Sequence, residues 1–234
     1  MTMMNSSESP SGGPPISPAV EEFVDPYDYY EAMRSGSRAE RLFHAARLDL
    51  VLDTLPVRAG RLLDVGGGAG CLALPLATRG FDVTVVEPGA QLLDTLQEHA
   101  ESLGVQVTSV HGDGRDLPFE SGSFDVVMVA SVLHLVPFAE ALLTEAERVC
   151  APTGHLVVAG PWQRHPKSMT RVKTVLKEGP LAALRGRSSG SARATFPFNE
   201  RLLKGMLRRS THKGANYNYL MGYFATLWSP HRSD

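Results

Sequence analysis

The stretch Leu62-Leu63-Asp64-Val65-Gly66-Gly67-Gly68-Ala69-Gly70 decides how this chain folds. An apolar run ends in a carboxylate and passes straight into a glycine-rich loop. Glycine lets the backbone turn tightly and approach a ligand closely, and a loop of this kind between a strand and a helix is a nucleotide-binding context. The flanking sequence supplies both elements. Arg61–Val65 reads as a strand and Cys71–Thr78 as a helix closed by Gly80.

Working outward, strands and helices keep alternating. Phe81–Val86 is β-branched and strand-like, and Ala90–Leu103 is a helix ended by Gly104. Val105–Val110 is a third strand. Phe124–Ala130 (FDVVMVA) is apolar almost throughout, as in a parallel strand covered on both faces. Phe138–Val149 is a helix and Gly154–Ala159 a further strand. Upstream, Leu42, Ala45, Ala46, Leu48, Val51, Leu52 and Leu55 recur at helical spacing across Arg38–Leu55, and Pro56 stops that helix. The expected fold class is α/β, a Rossmann-like doubly wound sheet. Residues 1–20 read as a disordered Ser/Gly/Pro-rich tail without the pattern of a secretory signal. Residues 21–60 form an N-terminal lid and helix, 61–160 the cofactor-binding core, and 161–234 an acceptor-side part of the same domain. In that last part Met169–Leu184 and Asn199–Arg209 read as basic helices, and Ala215–Trp228 as a closing strand or hairpin.

The loop's details choose between ligands. A dinucleotide site needs G-x-G-x-x-G, with pyrophosphate at the helix N-terminus. Counted from Gly66, the last glycine of that pattern falls on Cys71. Asp64 points toward the loop, and a carboxylate there repels pyrophosphate but attracts a ligand carrying an ammonium and a sulfonium. S-adenosylmethionine is such a ligand. Glu87 ends the second strand, where an acidic side chain accepts from both ribose hydroxyls. In His111-Gly112-Asp113-Gly114, Asp113 is placed to accept from an adenine amino group and the Gly114 N–H to donate to the ring, with His111 structural and Asp116 a turn residue. The Phe124–Val136 segment ends its strand at Ala130-Ser131, so Ser131 joins the others at the carboxyl ends of the strands.

LLDVGGGAG, VVEPG, GDGRDLPF and FDVVMVASVLHLV together resemble the successive motifs of the class I S-adenosylmethionine-dependent methyltransferases, in the style of the ubiquinone/menaquinone C-methyltransferases and natural-product enzymes. The resemblance covers roughly residues 38–160. It implies a seven-stranded, mostly parallel sheet whose last strand is antiparallel, with S-adenosylhomocysteine as product. It also implies that Gly66 and Gly68 meet the methionine end of the cofactor, that Glu87 holds the ribose, that Asp113 and Gly114 read the adenine, and that Tyr30 is a lid aromatic. Beyond residue 160 the pattern departs from the family, without a clear long sixth strand.

Methyl transfer from a sulfonium is an in-line displacement, so the protein mainly aligns the acceptor and excludes water. His134, just past the fourth strand, is the candidate base; its alternative role is packing beneath the cofactor. His155 is expected to be solvated. His165 and His212 lie in the basic region. The C-terminal aromatics Tyr217, Tyr219, Tyr223, Phe224 and Trp228 fit a core, while Trp162 and Phe196 are candidate pocket residues. No Asp/Glu/His cluster has metal-ligand spacing, and Cys71 and Cys150 read as small apolar residues in a reducing cytoplasm.

Charge is divided unevenly. Residues 1–163 hold 9 Lys/Arg against 22 Asp/Glu, whereas residues 164–234 hold 14 against 3. The basic part, with Arg171, Lys173, Lys177, Lys204 and Arg208 in its helices, is either a solvated face or a peripheral contact with anionic membrane through residues 164–213. It lacks the interleaved aromatics of a single-strand nucleic-acid platform. The function expected is methyl transfer from S-adenosylmethionine to a small-molecule or lipid/quinone-like acceptor. The alternatives are a non-catalytic partner subunit of the same fold and a nicotinamide-dependent oxidoreductase, against which Asp64 and Cys71 argue.

Overall fold

The computed structural model describes residues 20, 22, 24–161, 200–207, 210–218 and 223–230. The expected helix Met169–Leu184, Trp162, His165, Phe196 and Tyr219 lie outside these residues.

Each element forms where apolar periodicity and end signals agree. Helix α1 (Tyr29–Ser35) starts at Asp28, whose side chain accepts from the Glu31 N–H. Helix α2 (Arg38–Thr54) starts at a reciprocal capping box between Ser37 and Glu40. The chain then runs β1 (Gly60–Val65), α3 (Ala73–Ala77), β2 (Phe81–Glu87), α4 (Ala90–Leu103), β3 (Thr108–His111), β4 (Phe124–Ala130), α5 (Ala139–Val149), β5 (Cys150–Pro161), α6 (Glu200–Met206), β6 (Ser210–Asn218) and β7 (Tyr223–Pro230).

The seven strands lie in the order β3-β2-β1-β4-β5-β7-β6. Pairings among β1 to β5 are parallel, and β7 runs antiparallel to both β5 and β6. The last strand in sequence is therefore the antiparallel one, inserted between β5 and β6. The expected lack of a long sixth strand is corrected, since β6 spans nine residues. It escapes a hydrophobic reading because it is the sheet's edge and its sequence, STHKGANYN, is mostly polar, as edge strands tend to be.

Alternate residues of the central strands feed two cores. Leu62, Val85, Val126, Met128 and Val157 pack with α2, α3 and α4 on one face. Leu63, Val65, Val127, Val129 and Val158 pack with α5 and α6 on the other. A sheet covered on both faces keeps its strands apolar, which is why β4 was legible from composition alone. Asp64 lies on the same face as Leu62, so its carboxylate enters a protein interior.

Helix α2 is rotated relative to its apparent apolar stripe. Leu42 is 58% exposed and Ala45 is exposed too, while His44 and Arg47 are buried at 3% and 6%. The inward face is His44, Arg47, Leu48 and Val51, so two polar side chains replace two apolar ones. Their destination is the cleft.

Candidate functional site: a cleft at the carboxyl ends of β1, β2 and β4

The sheet's order reverses between β1 and β4, and a doubly wound fold opens its crevice at that point. A cavity of about 210 Å³ occupies it. Asp64, Gly66, Gly68, Glu87, Asp113, Gly114, Ser131 and His134 all line it. Parallel register brings them together, since Asp64 pairs with Val85 and Met128, and Glu87 with His111.

The glycine loop is latched by Glu87. This carboxylate is 5% exposed. Its Oε2 accepts from the Gly68 N–H at 3.1 Å and its Oε1 from the Gly89 N–H at 3.0 Å. Burial pushes its pKa up, and those two N–H groups pull it back. A carboxylate offers about four acceptor positions, so each oxygen keeps one for a diol.

Gly66 and Gly68 both have left-handed backbones, with φ of 73° and 56°, but they serve different needs. A Cβ on Gly66 would lie 2.5 Å from Val132 Cγ2, whereas one on Gly68 would meet nothing within 4 Å and project into open space. Gly66→Ala is therefore expected to destabilise the fold by about 1–3 kcal/mol. Gly68→Ala is expected to cost only about 1 kcal/mol of backbone strain while losing cofactor affinity. Thermal unfolding beside calorimetric titration with S-adenosylhomocysteine separates the two, and equal binding by Gly68→Ala would refute the close approach.

Asp64 is 2% exposed, and no described group hydrogen-bonds its buried Oδ1. Burial pushes its carboxyl up to about 7, the Glu87 charge adds to that, and the Arg47 cation opposes it. This is an acid prepared for a positively charged partner.

Ser131 is the one non-glycine residue with positive φ among the described residues, at 63°. Strain of this sort persists where surroundings enforce it. Here its Oγ accepts from Arg47 Nη2 at 3.0 Å and shares a hydrogen bond of 2.6 Å with the Tyr223 hydroxyl. Arg47 Nη1 also lies 3.0 Å from His44 Nδ1. Because a guanidinium only donates, that nitrogen accepts, and the His44 ring is neutral with its proton on Nε2. The Tyr29, Phe43 and Tyr223 rings surround the cation, with centroids 5.9, 6.0 and 5.2 Å away.

Three expectations are corrected. Tyr30 does not line the cavity: it is 6% exposed and packs on His99, with ring centroids 4.7 Å apart. The Asp28–His99 pair at 2.8 Å ties α1 to α4. Helical rotation then aims Tyr30 at the core, and Tyr27 and Tyr29 face the cleft instead. Asp113 is not a free acceptor, because Arg115 Nε reaches its two oxygens at 3.1 and 2.8 Å. The same guanidinium lies 4.4 Å from the Phe138 ring centroid, so Arg115 and Phe138 join the adenine wall. His155 is half-buried rather than solvated, with its Nδ1 enclosed and its pKa lowered mainly by burial. His111 is structural as expected, its Nε2 donating to the Pro88 carbonyl. Tyr223, Phe224 and Trp228 are core residues, and Tyr223 is also a wall of the cleft. Cys71 and Cys150 are both buried and unbridged.

Arg47, Arg115 and Phe138 were not singled out from sequence. A signal existed for Arg47, which stands three residues after His44 and four before Val51, a polar break in a helical stripe.

A latched glycine loop, an acidic strand end and a switch-point cleft define a nucleoside-binding α/β protein of Rossmann-like architecture. Residues 63–158 match a family model described as a methyltransferase domain. The chain is 33% identical over 139 residues to a demethylmenaquinone methyltransferase of Thermus thermophilus, covering 58% of this chain and 61% of the relative. It is 31% identical over 129 residues to a phosphatidylethanolamine N-methyltransferase of Cereibacter sphaeroides, covering 54% and 57%. A solved structure from Pyrococcus horikoshii superimposes with a TM-score of 0.66 at 18% identity, covering 87% of this chain and 99% of that one, which shows the shared fold. The chain spans 40% to 61% of the length of these and similar curated relatives. It belongs to the class I S-adenosylmethionine-dependent methyltransferase family.

Proposed function

We propose that this protein transfers a methyl group from S-adenosylmethionine to an apolar, lipid- or quinone-like small molecule. The observation that carries the reading is the cleft. Its inner wall holds a loop where Gly68 leaves room for a ligand and a buried acid without a partner. Its lining also includes the exposed rings of Tyr27 and Tyr29, with Phe43, Leu135 and Phe138. The inner groups fit the cofactor: Asp64 for the ammonium, Glu87 for the ribose, and the Asp113–Gly114 turn with Phe138 for the adenine.

The bound cofactor supplies a methyl group already activated by its sulfonium. What remains for this chain is to align the acceptor, exclude water and receive a proton. The apolar rings do the first two. His134 lies in the turn after β4 and lines the cleft, in position to take a proton from an acceptor hydroxyl or amine. The names of the two relatives, one for demethylmenaquinone and one for phosphatidylethanolamine, support an acceptor of this class.

The test is transfer of labelled methyl by the purified protein into host extract, split into organic and aqueous fractions. Label in the organic fraction, absent with Glu87→Ala, is the expected result; label confined to the aqueous fraction would reject the lipid-like acceptor. His134→Ala should lower kcat by about 10²–10⁴-fold with cofactor affinity unchanged. Weaker cofactor binding at unchanged kcat would instead reassign His134 to packing beneath the cofactor.

The basic stretch 164–213 supports peripheral docking on anionic membrane. Among its described residues, Lys204 and Lys213 are exposed, and no described helix is long and apolar enough to cross a bilayer. Sedimentation with anionic vesicles at low salt, lost at high salt, is the expected outcome.

A further inference from the structure

The cleft is lined by two buried charged side chains that each present an atom without a hydrogen-bond partner among the described residues. They are of opposite sign: Asp64 Oδ1 and Arg47 Nε. Asp64 is 2% exposed and Arg47 6%. They do not form an ion pair with each other, and Arg47 forms none with any other described carboxylate. Yet they are close enough that the Arg47 cation acts on the Asp64 carboxyl.

Burying a charge is costly unless a counter-charge or hydrogen bonds offset it. Aromatic rings and neutral acceptors compensate Arg47 in part, but they carry no negative charge. An anion and a cation held apart across one cleft suit a single ligand bearing both opposite charges on neighbouring atoms. An α-amino acid has that form: an ammonium and a carboxylate on one carbon.

We propose that Arg47 and Asp64 together clamp the amino-acid end of S-adenosylmethionine, Arg47 taking the α-carboxylate and Asp64 the α-ammonium. This rests on the cofactor reading above and adds Arg47 to it. Ser131 and Tyr223 act as positioning residues, since their hydroxyls fix the guanidinium. The strained backbone of Ser131 is then explained as the cost of placing that hydroxyl. Substrate and product carry the same amino-acid end, so the clamp binds both alike and changes affinity rather than the methyl-transfer step.

Calorimetric titration of the full chain with three ligands tests this: S-adenosylhomocysteine, its decarboxylated analogue, and 5′-methylthioadenosine, which lacks the whole amino-acid end. Wild type should bind the first about 10- to 100-fold more tightly than the second, the contribution of a charged hydrogen-bonded pair. Arg47→Met should lower S-adenosylhomocysteine affinity to the decarboxylated level and leave the analogue's unchanged. Arg47→Lys should fall between. Equal losses for both ligands in Arg47→Met, or loss of acceptor binding with cofactor binding intact, would overturn the clamp. Should Arg47→Met not fold, the wild-type comparison still decides, because failure to discriminate against the decarboxylated analogue overturns the clamp by itself. Binding of 5′-methylthioadenosine without any preference for the carboxylate would sink the clamp alone. Binding of none of the three would sink the cofactor reading with it.

Discussion

Asp64→Asn is expected to lower cofactor affinity by about a hundredfold or more, the penalty of leaving one member of a buried charge pair unmatched, while raising thermal stability at pH 8. The two effects share a cause. Asp64 is buried, and its carboxyl is pushed up to about 7, first by burial and then by the Glu87 charge. A folded-state pKa above the unfolded one means stability that is fully present below about pH 4 and lost as pH rises through about 7. At pH 8 the wild-type fold carries an ionised, desolvated acid that Asn lacks. Melting temperatures should therefore diverge at pH 8 and converge near pH 4.

Affinity runs the other way. Below about pH 7 the ligand-free protein holds Asp64 protonated, and binding an ammonium requires that proton to leave. Wild-type affinity should fall up to tenfold per unit of pH on that side. It should fall again above about pH 8, where an α-amino group loses its proton. The Asn variant should lose the acid limb only. Retention of that limb in Asp64→Asn would assign it to a different group.

Glu87→Gln is expected to cost about a hundredfold in cofactor affinity and to loosen the glycine loop. Glu87 accepts from Gly68 on one oxygen and from Gly89 on the other. An amide has one acceptor oxygen, so its NH2 must face one of those N–H donors. A buried donor left unmatched costs about 1–3 kcal/mol. One acceptor for the ribose disappears as well. Hydrogen exchange at Gly68 should accelerate in the variant, and calorimetry should show the weaker binding. Wild-type exchange together with weak binding would confine the role of Glu87 to the ligand.

The candidate site was legible in sequence where its residues sit on the central strands or in the loop that leaves them. β4 was read with its observed bounds, Phe124–Ala130, because a strand buried on both faces has to be apolar. Asp64 and Glu87 were legible because each is a carboxylate closing an apolar strand. Reading failed at the edges and at helix rotation. β6 lies at the sheet's rim, where polar residues are tolerated, so its sequence gives little sign of a strand. The pairing of Asp113 with Arg115 was missed as well, since two neighbouring charges read equally well as a solvated turn.

By itself, then, the sequence determined the βα alternation, the glycine loop and the two acidic strand ends, all of which are local consequences of residue type and spacing. Tertiary structure alone decided that β7 enters between β5 and β6, that Tyr29 rather than Tyr30 faces the cleft, and that α2 buries His44 and Arg47 while exposing Leu42. The physical reason is the same in each case. A helix or strand fixes which residues share a face, but only packing against distant partners fixes where that face points, and here α4, Ser131 and Tyr223 turn those faces toward the site.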